Sequence, residues 1–561
     1  MNTFFSKKGE AEKLQAKLQE LKKHTKGNWL TPFWNDHYLK YRGALPTGMH
    51  YNILVDRPLL KEVPTTAELA GKISFLVAEY YHKIIDGNVE PVTVKGLPLD
   101  MGQYKKFFRS IRIPRQGKDE FIVAPFNKRN NFIILIYRNH MYKVPVTNEE
   151  GHIYSSHSIC VAIERIFNNE KEEGLNIGIF TTTERDKAAN MYQNLMKTEE
   201  NVANLQSIAD SLLVISIDED SDNSEEAIEN LMLNGTSKYY DKTIQLSITK
   251  KGRLGYSIEH TAVDGTTIFS VISYVNDGIS DEFNETKYTN ERPQVSKLDW
   301  VISENIQTDL VQLERENERR RKEYSIQSAR LVEFGSDMIK QLKLSPDAFF
   351  HIALQIAQYR TFGQLKSVYE PVSMRHYYEG RTECARATSM EKTTVIQAIE
   401  HGRSNHEIYE KMVLASDAHA RRIANCRNGF GIERHLFGLE KVFYQYGESL
   451  GIKQLPDIFS DIGYRALRED FISTSGMVYD NVRSRIFGPV VKGGFGLAYI
   501  LLNHSISINI SCRMSEEKQA KQLADYLLSA CKELKEIAEQ VIQSNKTTKR
   551  KGFLESESFH R

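Results

Sequence analysis

The stretch GYSIEHTAVDGT (residues 255–266) ends an apolar/polar alternation on His260, with Asp264 four residues later and Gly265 beside it. An imidazole at a strand end, titrating near neutrality, can take a proton from a hydroxyl or thiol. An aspartate followed by glycine can brace the loop that holds the ring. The same spacing also suits a histidine that merely completes a turn. Further on, FISTSG (471–476) sets Ser473, Thr474 and Ser475 side by side. In an extended chain Ser473 and Ser475 share a face and supply two donors to a developing oxyanion or a polar substrate. A polar strand edge is the alternative.

Two basic groups stand between these motifs. In YEPVSMRHYYEGRTECAR (369–386), Arg375, Arg381 and Arg386 lie near Tyr369 and Thr382. Guanidinium grips carboxylate or phosphate bidentately, so this segment suits an anion pocket or, equally, a salt-bridged surface. Lys340 and Lys343 precede Ser345, a natural N-cap with Pro346 at the first helical position and Asp347 in the first turn. A phosphate would meet a helix N-terminus there.

The elements that must position these residues are partly legible. Ile244, Leu246 and Ile248 alternate with polar residues, Lys-Lys-Gly turns the chain, and Leu254, Tyr256 and Ile258 resume the alternation. This predicts a β-hairpin, with His260 on the buried face if the strand continues. Leu14, Leu18 and Leu21 mark one face of a helix over 10–24, and a helical pattern covers 66–86. The segment 504–511 reads as a strand, and a last helix starts near Ser515 with Leu523, Leu527, Leu534 and Val541 as its stripe.

With 561 residues the chain is too long for one ordinary core, so two large units are expected. Mixed helices and strands without regular βαβ alternation give an α/β (α+β) class, split near residue 300. Lys+Arg total 74 against 73 Asp+Glu, a net charge of +1, which disfavours a nucleic-acid binder. Any anionic ligand must meet local charges. The 5 cysteines lack CxxC spacing, which argues against a disulfide framework or zinc site and fits a reducing compartment. No apolar run reaches the roughly 18 residues of a membrane span, and the start lacks a signal-peptide core. A cytoplasmic protein with no metal and no membrane span is expected.

Taken together, HTAVDG, LSPDAF, YEPVSMR with GRT, ERHLFGL, STS and FGPVV, in this order, resemble the carnitine/choline O-acyltransferase family. NWLTPFWNDHYLKYR, QYKKFFRSIRIPR and PDIFSDIGYRALREDFISTSG agree, so the resemblance covers nearly the whole chain. The family's early Leu-Pro-rich segment has no counterpart, which leaves open a start-site assignment or a truncation.

The resemblance implies two chloramphenicol-acetyltransferase-like domains with an active-site tunnel between them. Residues 1–28 would form an N-terminal helix packing on the C-terminal domain, 29–303 the catalytic-histidine domain, 304–545 the domain binding coenzyme A and carnitine, and 546–561 a disordered tail. His260 would be the general base that lets the carnitine hydroxyl attack the thioester directly, supported by Asp264. Ser475 would serve the reacting oxygens and the ammonium, and Ser473 the carnitine carboxylate. Tyr369, Thr382 and Arg434 match the carboxylate-binding set of carnitine enzymes; choline enzymes carry Val and Asn in place of that Thr and Arg.

Lys340 and Asp347 match coenzyme A contacts. Ser336 stands where many members have a second lysine, a loss that Lys343 can offset. Coenzyme A is a co-substrate, no further cofactor is implied, and a monomer with a place in fatty-acid metabolism is expected. At Arg485, four residues before Pro489, acetyl-type members place Met and long-chain members Gly. A guanidinium there argues against long apolar chains. It either plugs the acyl pocket, restricting it to acetyl or propionyl groups, pairs with a carboxylated acyl group such as malonyl or succinyl, or turns to solvent. The implied activity is reversible transfer of a short or polar acyl group between coenzyme A and carnitine. The alternatives are a choline or other amino-alcohol acyltransferase and a non-catalytic paralogue.

Overall fold

The computed structural model describes all residues except 1–3, 7–8, 56–63, 95, 282–287, 478, 480–481 and 559–561, with the side chains of 546–558 also outside the description. The architecture is mixed α/β, built on an eight-stranded and a five-stranded sheet. The expected hairpin forms from Ile244–Thr249 and Leu254–Glu259, turned at Gly252 with φ of 77°. Its register opposes Leu254 to Ile248, Tyr256 to Leu246 and Ile258 to Ile244. Those six side chains therefore share one face and enter one core. The strand stops at Glu259, so His260 lies just beyond it and escapes the burial that continued alternation would impose.

The hairpin sits inside the larger sheet. His50–Val55 runs antiparallel to Leu254–Glu259, and beyond it the edge strand is Val482–Phe487, from far along the chain. Helix Thr66–Ile85 covers this face, started by a capping box of Thr65 and Glu68. The second sheet runs in the order Tyr324–Leu331, Ile506–Arg513, Phe495–Leu501, Ile472–Met477, Val368–Tyr369. Helices Pro346–Phe362 and Glu517–Ser558 pack against it around a separate core.

The packing runs across the expected boundary at 303/304. Helix Glu304–Arg321 buries Ile306, Leu310 and Leu313 in a cluster of the first half, so a cut between 303 and 304 separates it from its core. The chain joins the second sheet only at Tyr324, and Val482–Phe487 returns to the first. Helix Glu10–His24 places Leu14 and Leu18 against Phe437, Leu439 and Val442 of helix Glu433–Tyr446. Helix Glu517–Ser558 runs through residues 546–558, where a disordered tail was expected.

The returning strand is held by a close backbone approach. Gly488 follows it, and a Cβ there would lie 1.8 Å from the Thr47 carbonyl oxygen. A backbone oxygen cannot swing aside as a side chain does. Gly488→Ala should therefore destabilise the protein by about 1–3 kcal/mol or more through overpacking. Denaturant unfolding measures this, and an unchanged midpoint would contradict the structural account.

Candidate active site

The loop after Leu254–Glu259 is fixed before its chemistry is considered. Glu259 is fully buried and pairs with Arg112 at 3.2 Å; its carboxylate also accepts from Thr261 Oγ1 (2.6 Å) and the Thr261 N–H (3.1 Å). The His260 N–H donates to the Met49 carbonyl. His260 Nδ1 donates to the Val263 carbonyl at 2.8 Å. A carbonyl only accepts, so the proton sits on Nδ1 and Nε2 keeps its lone pair. Tyr51 and Tyr38 wall the ring at centroid distances of 4.9 and 5.5 Å, leaving 33% of the side chain exposed.

Burial lowers the His260 pKa below the ordinary imidazole value; Asp264 pulls it up and Arg381 pushes it down. The ring is thus neutral and able to accept a proton near neutral pH. Asp264 does not hydrogen-bond it directly, since Nδ1 and Oδ1 are 4.0 Å apart. Its carboxylate instead accepts from Arg381 Nε (2.9 Å) and Gln103 Nε2 (2.7 Å). Burial works against the Asp264 charge, but the Arg381 guanidinium outweighs it and holds the carboxyl below its ordinary range. Arg381 also donates to the carbonyls of Thr261 (2.8 Å) and His260 (3.1 Å).

Helix Leu30–Leu39 connects this loop to a second basic site. Its Tyr38 faces His260, and one turn earlier the Trp34 ring lies 4.0 Å from the Arg434 guanidinium carbon. Arg434 is 6% exposed; it donates to the Tyr369 hydroxyl (2.8 Å), Thr382 Oγ1 (3.4 Å) and the Thr382 carbonyl (3.0 Å). Burial opposes its charge, yet Tyr369, Cys384 and Glu383 hold its pKa above the ordinary value. Among the described residues no carboxylate oxygen lies within 4.0 Å of its guanidinium. A buried cation held by neutral groups is the arrangement that receives an anion.

The serines lie on strand Ile472–Met477. Thr474 Oγ1 donates to the Tyr369 carbonyl (2.7 Å), which leaves the buried Ser473 and the half-buried Ser475 on the opposite face. Ser475 Oγ accepts from Arg485 Nη2 at 2.9 Å, which keeps its own proton available to donate. Tyr51 spans the gap, packing on His260 and feeling the charges of Asp264, Arg381 and Arg485.

A family model described as choline/carnitine O-acyltransferase matches residues 1–529. The chain is 28% identical to carnitine O-acetyltransferase of Homo sapiens over 557 residues, 96% of this chain and 88% of that one. It is 28% identical to choline O-acetyltransferase of Gallus gallus over 519 residues, covering 88% and 80%. Against mitochondrial carnitine O-palmitoyltransferase 2 of Bos taurus it is 27% identical over 436 residues, covering 75% and 64%.

The chain belongs to the choline/carnitine O-acyltransferase family.

As an acyltransferase of this family it assembles some expected residues and not others. Tyr369, Thr382 and Arg434 meet. The anion pocket read from Arg375, Arg381 and Arg386 does not form: Arg381 holds Asp264, Arg386 holds Glu433 and Asp470, and Arg375 donates to the Asp100 carbonyl. Lys340 is largely exposed beside Asp337, and Lys343 lies in a left-handed turn with φ of 59°. Ser336 is buried and reaches Asn503. Arg485 is 4% exposed, which excludes the solvent-facing alternative.

Asp347, its side chain still 42% exposed, meets a buried cluster at its inner edge. It accepts from His419 Nε2 (3.2 Å) and Tyr499 (2.7 Å), close to His351 and Glu370. One ligand atom from each of Asp347, His351, Glu370 and His419 lies within 4.8 Å of the others, a donor set a divalent cation can use. Lys392 Nζ sits 3.0 Å from His419 Nδ1, so the same groups also form a proton-sharing network. Sequence reasoning missed this cluster, and also Trp34, Tyr38, Tyr51 and Gln103. Trp34 and Tyr38 did carry a signal, an i, i+4 aromatic pair, in the segment NWLTPFWNDHYLKYR, which entered only through the family resemblance.

Asp264→Asn tests the loop. Losing the carboxylate removes what raises the His260 pKa and frees Arg381 to lower it further. Because the base must be neutral, the acid limb of kcat/KM should move to lower pH. An uncompensated buried Arg381 should cost about 3–5 kcal/mol of stability. A pH–rate profile with a thermal melt checks both, and an acid limb that stays in place would contradict the electrostatic account.

Proposed function

We propose that this enzyme reversibly transfers a short or polar acyl group between coenzyme A and the hydroxyl of carnitine, with His260 as general base. The observation that carries this reading is Arg434, buried over Trp34 and held by Tyr369 and Thr382 with no carboxylate of its own. An acceptor alcohol bearing a carboxylate supplies the missing anion. Choline, which has none, would leave the guanidinium unpaired.

The steps follow from the proton positions. His260 Nε2 takes the hydroxyl proton as the alcohol oxygen attacks the thioester carbon, forming the C–O bond. Ser475 donates to the developing oxyanion while Arg485 holds its oxygen. Collapse breaks the C–S bond, and the leaving thiolate takes the proton from His260. No acyl-enzyme is needed, and each step reverses. Asp264 acts through Arg381 and the loop as a positioning residue. Lys340 and Lys343 supply charge to the phosphates of coenzyme A, and Ser473 a contact for the carnitine carboxylate. Among the described residues no helix is long and apolar enough to cross a membrane. The five cysteines are free and buried, which suits a reducing compartment.

Thiol release from short-chain acyl-CoA, with carnitine or choline as acceptor, tests the assignment. Carnitine-dependent release should fall about 10²–10⁴-fold in His260→Ala. Arg434→Asn should raise the KM for carnitine by about 10²-fold and affect choline far less. Full activity in His260→Ala would overturn the base assignment, and a wild-type preference for choline would overturn the acceptor.

A further inference from the structure

Arg485 occupies an unusual place for a charge. Its strand pairs antiparallel with His50–Val55, and Arg485 opposes Ile53. Opposed residues share a face, so the guanidinium leaves the sheet on the side of Tyr51, Ile53 and Tyr256, all core residues. Tyr51 on that face packs against His260. Nη2 and Nη1 donate to the hydroxyl (2.9 Å) and carbonyl (3.3 Å) oxygens of Ser475. Nε is buried without a partner.

Other buried or largely buried arginines show how this chain treats a desolvated guanidinium. Arg112, Arg185, Arg381 and Arg386 each hold at least one carboxylate at 2.6–3.2 Å. Arg375 settles on a backbone carbonyl near the Tyr104 ring. Arg485 resembles Arg434 instead, held by neutral oxygens with no carboxylate within 4.0 Å among the described residues. Their charges differ in one respect. Burial pulls the Arg485 pKa down to about 10, with only Tyr51 and Tyr499 opposing, whereas Arg185, Arg381, Arg386 and Arg434 are held above the ordinary value.

We infer that the acyl group itself carries a carboxylate: the donor is a half-thioester of a short dicarboxylic acid with coenzyme A, its free carboxylate pairing with Arg485. This rests on the acyl transfer proposed above and names its substrate class. One guanidinium touches Ser475, at the reacting carbonyl, and must also reach the far carboxylate, so the spacer is short, of the malonyl to glutaryl range. The transfer itself is unchanged. The thioester C–S bond breaks, the ester C–O bond forms, the hydroxyl proton passes through His260 to the thiolate, and the distal carboxylate takes no part. A neutral chain leaves the cation buried and unpaired, so the residue also selects against acetyl and longer apolar groups.

Initial rates with carnitine should be measured for malonyl-, succinyl- and glutaryl-CoA against propionyl-, butyryl- and pentanoyl-CoA, in wild type, Arg485→Met and Arg485→Lys. The wild-type kcat/KM should favour the carboxylated member of each pair by about 30-fold or more. Arg485→Met should invert that ratio and Arg485→Lys keep part of it. A wild-type preference for the uncharged chains, as a plugged acetyl-type pocket requires, would overturn the inference. So would a ratio unchanged in Arg485→Met, the result expected if Arg485 only orients Ser475. Should Arg485→Met fail to fold, the wild-type panel and Arg485→Lys decide. Calorimetric binding of succinyl-CoA and butyryl-CoA without any alcohol separates the two readings. A preference for succinyl-CoA without transfer to carnitine rejects the acceptor and retains Arg485; equal affinity rejects Arg485's role.

Discussion

The buried pair between Arg381 and Asp264 is the interaction on which the rest of the site depends. Arg381 comes from the second half of the chain; Asp264, and the His260 and Thr261 carbonyls it also grips, come from the first. One guanidinium thus fixes the loop carrying the base and joins the two halves where their residues must meet. A buried ion pair is a poor device for stability alone, because desolvating both charges offsets most of their attraction. It is effective at excluding alternatives, since any shift of the loop strands a charge. The Nδ1 bond to Val263 can then be made by a backbone carbonyl, with Asp264 kept 4.0 Å away as a field and not as a proton acceptor.

Two further features turn this local lock into a shared site. Helix Leu30–Leu39 presents Trp34 to Arg434 and Tyr38 to His260, so one rigid element sets the spacing between an anion-ready cation and the base. Strand Val482–Phe487 completes the first sheet and carries Arg485 beside Tyr51, while Asn509 and Ser511 of the second sheet donate to Ser484 and to the Arg485 and Phe487 carbonyls. The halves are therefore interlocked by chain exchange as well as by contact. A boundary at 303/304 separates helix Glu304–Arg321 from the core into which it packs.

What could be read from the sequence was what depends on neighbours along the chain. The hairpin ending at Glu259 shows in period-two alternation, and the Ser345 cap shows in the Ser-Pro-Asp triplet, because both are local. The partners of arginines are not local. Arg375, Arg381 and Arg386 lie close together in sequence, yet they point to three different partners, and only tertiary packing decides which. Asp347 likewise looks like a first-turn residue open to coenzyme A until His419 and Tyr499 arrive from 72 and 152 residues away. Tyr369, Thr382 and Arg434 were found through the family resemblance, since nothing in their spacing predicts that they meet.

The two unpaired arginines also bear on the base. His260 is neutral partly because burial and the Arg381 charge disfavour its protonated form. On the proposed reading, one substrate brings a carboxylate to Arg434 and the other brings one to Arg485. Each anion neutralises a buried cation; the acyl carboxylate brings net negative charge toward the imidazole and favours the protonated ring, whereas carnitine's fixed ammonium offsets its own carboxylate. On that reading the base is stronger with the carboxylated donor bound than in the empty enzyme. A chain with net charge of +1 has no global field to gather anions. Two desolvated guanidiniums, each left incomplete by the fold, let the substrates supply the charge that makes the proton transfer favourable.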